Sequence, residues 1–204
     1  MYTALTATSL TLENHLENCF VSTTGLAPFF DTNVGGNMEV SLHTPQEMSE
    51  QQNEGLSVWL YRVVRDEDFL NRPPLRITDT QLQRIPLPVR LHYLITPIIN
   101  TTNLIAGPEL EQTIIGKVLQ VFHDHPLLRG GELQGDLSGT GVEIRVRLEP
   151  LGLEEITRVW DALEASYQLS VSYEVSVIEI HSAREPENIV PVDVVVPEYG
   201  VIVE

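Results

Sequence analysis

The chain has 204 residues, with 29 acidic against 12 basic side chains and a formal net charge of −17. That length suits one domain with a real core, and so acidic a balance excludes general phosphate attraction to nucleic acid or an anionic membrane. Cys19 is the only cysteine, which excludes an internal disulfide and a cysteine-based metal site and fits a reducing compartment. Met1 to Leu5 carries no positive n-region and no apolar run follows, so no secretory signal is expected. No apolar run is long enough to span a bilayer.

Taken in chain order, Thr3 to Val21 reads as an amphipathic helix, with Leu5, Leu12, Leu16, Cys19 and Phe20 near helical spacing. Its threonines and serine weaken that reading. Asn33 to Asn37 reads as a turn and Met38 to Leu42 as a short strand. Thr44 to Gly55 is polar and is expected to be a loop. Leu56 to Val64 alternates with period two, placing Val58, Leu60 and Arg62 on one face and Trp59, Tyr61 and Val63 on the other. Asp66 to Arg84 is expected to be a second loop, stiffened at Pro73-Pro74. Leu87 to Thr96 is another strand, in which Val89, Leu91, Tyr93 and Ile95 alternate with Arg90, His92 and Leu94. Both strands are apolar on two faces, so both faces are expected to be covered, by helices or by a neighbouring subunit.

A helix is predicted from Pro108 to His123, with Leu110, Ile114, Ile115, Val118, Leu119 and Phe122 as its apolar face. Gly130-Gly131 and Gly135 to Gly141 read as hairpin turns. Val142 to Leu148 is a strand with Val142, Ile144, Val146 and Leu148 inward. A third helix follows over Leu153 to Leu163, then a strand over Leu169 to Ile180. The fold class is therefore α+β: a mixed, mainly antiparallel sheet with about three helices over residues 1–183. Residues 184–204 form an acidic, Val- and Pro-rich arm, with β-capable pieces at Val192–Val196 and Val201–Val203. Such an arm suits strand addition to another subunit.

No catalytic cluster emerges. His123-Asp124-His125 has the residue types of a metal site but lacks further ligands at a known spacing, and a histidine at a helix C-terminus has an ordinary electrostatic explanation. His92 has no evident nucleophile or carboxylate partner in sequence. Glu154-Glu155 begins a helix, where carboxylates complement the dipole. Neither Gly35-Gly36 nor Gly130-Gly131 has the lysine of a phosphate loop. No cofactor and no metal are expected. The residues singled out for partner binding are Trp59, Tyr61, Arg62, His92 and Tyr93 on the strands. The Asn71, Arg72, Pro73 and Pro74 loop joins them, as do Val194, Val196, Tyr199 and Val201 in the arm. Arg62, Arg65, Arg72 and Arg76 cluster around that loop.

Several segments carry a family resemblance: Ser57 to Val63, Asn71-Arg-Pro-Pro74, Leu87 to Thr96, and Ile115 to Pro126 with its His-Asp-His-Pro exit. Leu148-Glu-Pro-Leu151, Val159-Trp-Asp-Ala-Leu163 and Tyr167 to Tyr173 extend the series. Together they resemble the cap, or tail-terminator, proteins of contractile injection systems. The resemblance implies a non-enzymatic α+β subunit that forms a hexameric ring with copies of itself. It implies contacts with an inner tube protein and a contractile sheath protein, in a phage-tail-like particle assembled in the cytoplasm. No nucleic acid and no direct membrane insertion are implied. The alternatives from other classes are a monomeric adaptor that binds a peptide as an added strand, and a metal-dependent hydrolase built on His123, Asp124 and His125.

Overall fold

The structure is a computed structural model that describes residues 2–69, 72–99 and 107–189. Helix α1 (Ala4–Val21) leads to a short α2 (Ala27–Phe30), strand β1 (Glu39–Ser41), helix α3 (Pro45–Glu50) and strand β2 (Gly55–Arg65). A small hairpin, β3 (Leu75–Thr78) and β4 (Gln81–Gln83), precedes the long β5 (Leu87–Ile98). Helix α4 (Gly107–Asp124), β6 (Leu127–Arg129), β7 (Glu143–Glu149), α5 (Leu153–Ala162), β8 (Val171–Ile180) and β9 (Glu187–Asn188) complete the order. The main sheet runs β1-β2-β5-β8-β7-β6, with β1 parallel to β2 and every other pair antiparallel. The fold is thus the α+β class expected, with three helices of seven residues or more among the described residues.

Strand β5 is buried on both faces because helices cover both. Tyr93, Leu91, Ile95 and Val89 join the larger core with Leu12, Leu16 and Phe20 of α1 and Ile114, Val118 and Phe122 of α4. On the other face Leu94 packs with Ile156 and Trp160 of α5, and with Trp59 and Tyr61 of β2. The hydroxyls that weakened α1 as a sequence are satisfied in place. Thr8, Ser9 and Thr11 donate to the carbonyls of Ala4, Leu5 and Ala7 at 2.8, 3.1 and 2.7 Å. Ser9 also meets the Tyr93 hydroxyl at 2.8 Å, and Thr11 accepts the Gln134 N–H at 2.9 Å. The polar positions of α1 therefore tie it to the sheet and to the β6–β7 connection.

Five expectations are corrected. Residues 45–50, expected as loop, form α3. Thr44 accepts the Glu47 N–H at 3.1 Å while Glu47 accepts the Thr44 N–H at 2.9 Å, and Pro45 opens the helix. Met48 anchors that helix with no exposed surface. The segment 66–84 is not all loop either, since β3 and β4 pair there and β9 extends them to a three-stranded sheet. That sheet lies largely in solvent, and its one alternating stretch, Leu75-Arg-Ile-Thr78, is only four residues long.

The glycines at 130–141 build two 3₁₀ turns, Gly130–Glu132 and Gly135–Leu137, instead of tight hairpin turns. Their purpose is packing: Leu133 and Leu137 are buried in the larger core. On β2 the pairing skips Tyr61, so Leu60 opposes Tyr93 while Arg62 opposes His92 and Val63 opposes Leu91. This bulge reverses the predicted faces of Arg62 and Val63. On β7, Ile144 and Val146 are buried as expected, but Leu148 is 51% exposed. It opposes Tyr173 on the expected side and lies beyond the end of the short β6.

Two glycines are required by close approach: at Gly36 a Cβ would stand 2.6 Å from the Phe29 carbonyl oxygen. Gly55 has φ +138°, and a Cβ there would stand 2.0 Å from the Glu39 carbonyl oxygen on the paired β1.

Candidate interaction surface

The strand residues singled out in sequence separate into two groups in space. Tyr93 has no exposed surface, and burial raises its phenol well above the usual range. Its hydroxyl is occupied by Ser9. It holds α1 to the sheet and offers this chain's surface nothing. Trp59, Tyr61, Arg62 and His92 lie together on the α5 side, with the Trp59 and Tyr61 rings 6.0 Å apart and Tyr61 and His92 6.2 Å apart.

Those last two residues belong to a polar network that sequence reasoning missed. Its hub is Glu149, at the end of β7. His92 Nδ1 is 3.0 Å from Glu149 Oε2 and 3.1 Å from Oε1. Ser172 donates to Glu149 at 2.7 Å, and the Tyr61 hydroxyl donates at 3.3 Å. Tyr61 and Ser172 are also 3.1 Å apart. Burial pushes the Glu149 carboxyl up, but the donors from His92, Ser172 and Tyr61 outweigh it and hold the group below its ordinary value. The network lies beside the apolar cluster of Leu94, Ile156 and Trp160, against which Tyr61 also packs. His92 Nε2 is buried without a hydrogen-bond partner. No short-range motif could have marked this site, because Tyr61, His92, Glu149 and Ser172 come from four strands.

A second cluster closes the far rim of the same face. Arg90 reaches Asp66 at 2.8 Å, Asp68, and Glu174 at 3.6 Å. The Asp66 side chain is only 1% exposed. Its burial favours the neutral acid, but the Arg90 hydrogen bond and the Asp68 N–H together keep it depressed. Arg90 is raised in turn, chiefly by Asp66.

The loop around 71–74 is tied back on one side. Arg72 pairs with Glu179 at 2.5 Å and lies over the Phe69 ring, 4.3 Å from its centroid. Its guanidinium is therefore engaged within the chain, while Pro73 and Pro74 are exposed. Arg65 and Arg76 are exposed as well. Asn71 and the arm positions Val194, Val196, Tyr199 and Val201 lie outside the described residues. Just before them, Glu187–Asn188 pairs with β4, and the Ile189 N–H reaches the Thr80 carbonyl at 2.7 Å.

His123, Asp124 and His125 are all exposed at the end of α4. His125 meets the His15 ring edge-on at 5.5 Å. Among the described residues no group of three or more His, Cys, Asp or Glu side chains is placed to hold a metal ion. Burial lowers the His15 imidazole, Glu132 opposes that shift, and His125 adds to it. No helix among the described residues is long and apolar enough to cross a membrane.

Comparison with known proteins gives one consistent picture. The profile of the family described as Pvc16 N-terminal domain matches residues 7–193. The fold is similar to the cryo-EM structure of the sheath/tube terminator of an extracellular contractile injection system, PVC, in its extended state. There the TM-score is 0.55 at 14% identity, covering 96% of this chain and 65% of the other. It is also similar to the tube-terminating cap of the anti-feeding prophage, AFP, with a TM-score of 0.52 at 15% identity, covering 89% of this chain and 62% of the other. The chain thus spans a little under two thirds of the length of either structure. No curated protein matches.

Proposed function

As the chain belongs to the Pvc16 N-terminal domain family, we propose that it is a structural cap that terminates the inner tube and sheath of a contractile, phage-tail-like particle. The observation that carries this reading is the fold: 96% of the chain aligns with a sheath/tube terminator. The physical logic agrees. An open end of a tube or sheath exposes unsatisfied interface and strand edges, which a terminating subunit must cover. Here both faces of β5 are closed by the chain's own helices. Edges, the β3–β4–β9 sheet and the uncovered part of the α5-side face are left for assembly. The subunit works as a hexameric ring, touches tube protein on one side and sheath protein on the other, and performs no chemistry. It assembles in the cytoplasm with the particle. The arm at 190–204 pairs with a neighbouring subunit, and the loop bearing Arg72 faces tube or sheath.

Electron microscopy of particles made with and without this chain tests the reading. Loss of the chain is expected to give absent, unstable or wrongly long tubes, and its density is expected as a ring at one end. Particles of normal length and normal end structure without the chain overturn it.

A further inference from the structure

The α5-side face of the main sheet is only half covered. Its upper half carries Trp59 and Leu94 beneath α5. Below the Glu149 network, cross-strand register sets Arg62, His92, Glu174 and Arg147 in one row over β2, β5, β8 and β7. In the next row Val64 opposes Arg90, and Arg145 opposes both Ser176 and Leu127. Arg62, Arg145 and Arg147 are exposed, and Leu127 is 40% exposed beside them. Among the described residues none of these three arginine side chains makes a hydrogen bond or an ion pair, whereas Arg90 is occupied by Asp66, Asp68 and Glu174. A quarter of the chain's twelve cations therefore stand exposed without an ion pair on one strip, with Glu174 directly opposite Arg147, in a chain of net charge −17.

Two copies of so acidic a chain repel each other. They associate only where opposite charges meet locally, and a ring joins one patch to a different patch on the next subunit. The complement is present in the sequence. Residues 190–204 hold Asp193, Glu198 and Glu204, no lysine or arginine, and seven valines. That mixture of carboxylates and small apolar side chains matches arginines bordered by Val64 and Leu127. Fifteen residues reach at most about 50 Å when extended, far enough to cross to a neighbour. We propose that the Arg62, Arg145 and Arg147 face is the docking surface for residues 190–204 of a second copy, with Asp193 and Glu198 meeting the arginines. This rests on the reading that the chain assembles with itself.

Two full-length chains carrying different tags test it, both with Cys19→Ala. One carries Ser176→Cys on the face and the other Tyr199→Cys in the segment. Mild oxidation with diamide is expected to give a disulfide between the two tags, and 1 M salt is expected to lower its yield several-fold. Adding R62Q/R145Q/R147Q to the first chain is expected to lower the yield about tenfold, and R62E/R145E/R147E further, with circular dichroism unchanged. Absence of the mixed disulfide, or a yield indifferent to both arginine variants, overturns the proposal. In a third chain bearing both cysteines, a disulfide that closes only within that chain overturns it too, because the segment then covers its own face. A ring at the particle end without the disulfide sinks this inference alone. The disulfide without any ring sinks the cap reading alone.

Discussion

The two faces of the main sheet are built from the same strands and solve different problems. The face under α1 and α4 is a continuous apolar core, from Leu12, Leu16 and Phe20 through Tyr93 to Phe122 and Tyr173. Its few polar groups are absorbed locally, as with Ser9 on Tyr93. The face under α5 has a small apolar core at Leu94, Ile156 and Trp160, then a hydrogen-bonded network at Glu149, then open arginines. Two eighteen-residue helices cover one side, while the ten-residue α5 covers part of the other. Where a helix ends, buried polar groups must find partners among themselves, and beyond them Arg62, Arg145 and Arg147 are exposed.

The largest effect expected from breaking this arrangement is at Trp160. Trp160→Ala should cost about 3–5 kcal/mol, because the side chain is fully enclosed and its indole N–H donates to Ser170 at 3.2 Å. A loss under about 1 kcal/mol in urea unfolding would mean that α5 is peripheral. Next comes the rim. Asp66→Ala should cost about 2 kcal/mol, less than a fully buried pair because Arg90 is 27% exposed and keeps Asp68 and Glu174. Thr44→Ala removes the cap of α3 and should cost about 1 kcal/mol, with Thr44→Ser nearly neutral.

A finer contrast lies in pH. His15, against α4, has a folded pKa below its ordinary 6.5, so its contribution is present above 6.5 and is lost as pH falls from there. Glu149, on the other face, has a folded pKa below its ordinary 4.5. Its contribution is present above 4.5 and is lost as pH falls through the folded value. Urea midpoints at pH 7.5, 5.5 and 3.5 should therefore fall in two stages. His15→Gln should flatten the first stage and Glu149→Gln the second. Equal flattening of both stages by either variant would deny that the faces titrate separately.

Much of this plan was legible in the residues. Alternation over 56–64 and 87–96 reported two strands, of which β5 is buried on both sides while β2 is so only over its first half, with Arg62 and Val63 exposed, and helical spacing of Ile114, Val118 and Phe122 reported α4. The capping box Thr44-Pro-Gln-Glu47 was legible too, but a polar surface composition outweighed it. The bulge at Tyr61 was not legible, because a skipped residue leaves no trace in periodicity and yet exchanges the faces of Arg62 and Val63.

The sequence by itself determined the α+β class, the main helices and strands, the acidic surface and the family, since each is written in local spacing, composition or short ordered segments. Only the tertiary structure decided the strand order, the Glu149 network and the arginine strip. Tyr61, His92, Glu149 and Ser172, like Arg62, Arg145 and Arg147, are separated along the chain. They become neighbours when antiparallel pairing sets the register across β2, β5, β8 and β7, and no local pattern encodes which strands lie side by side.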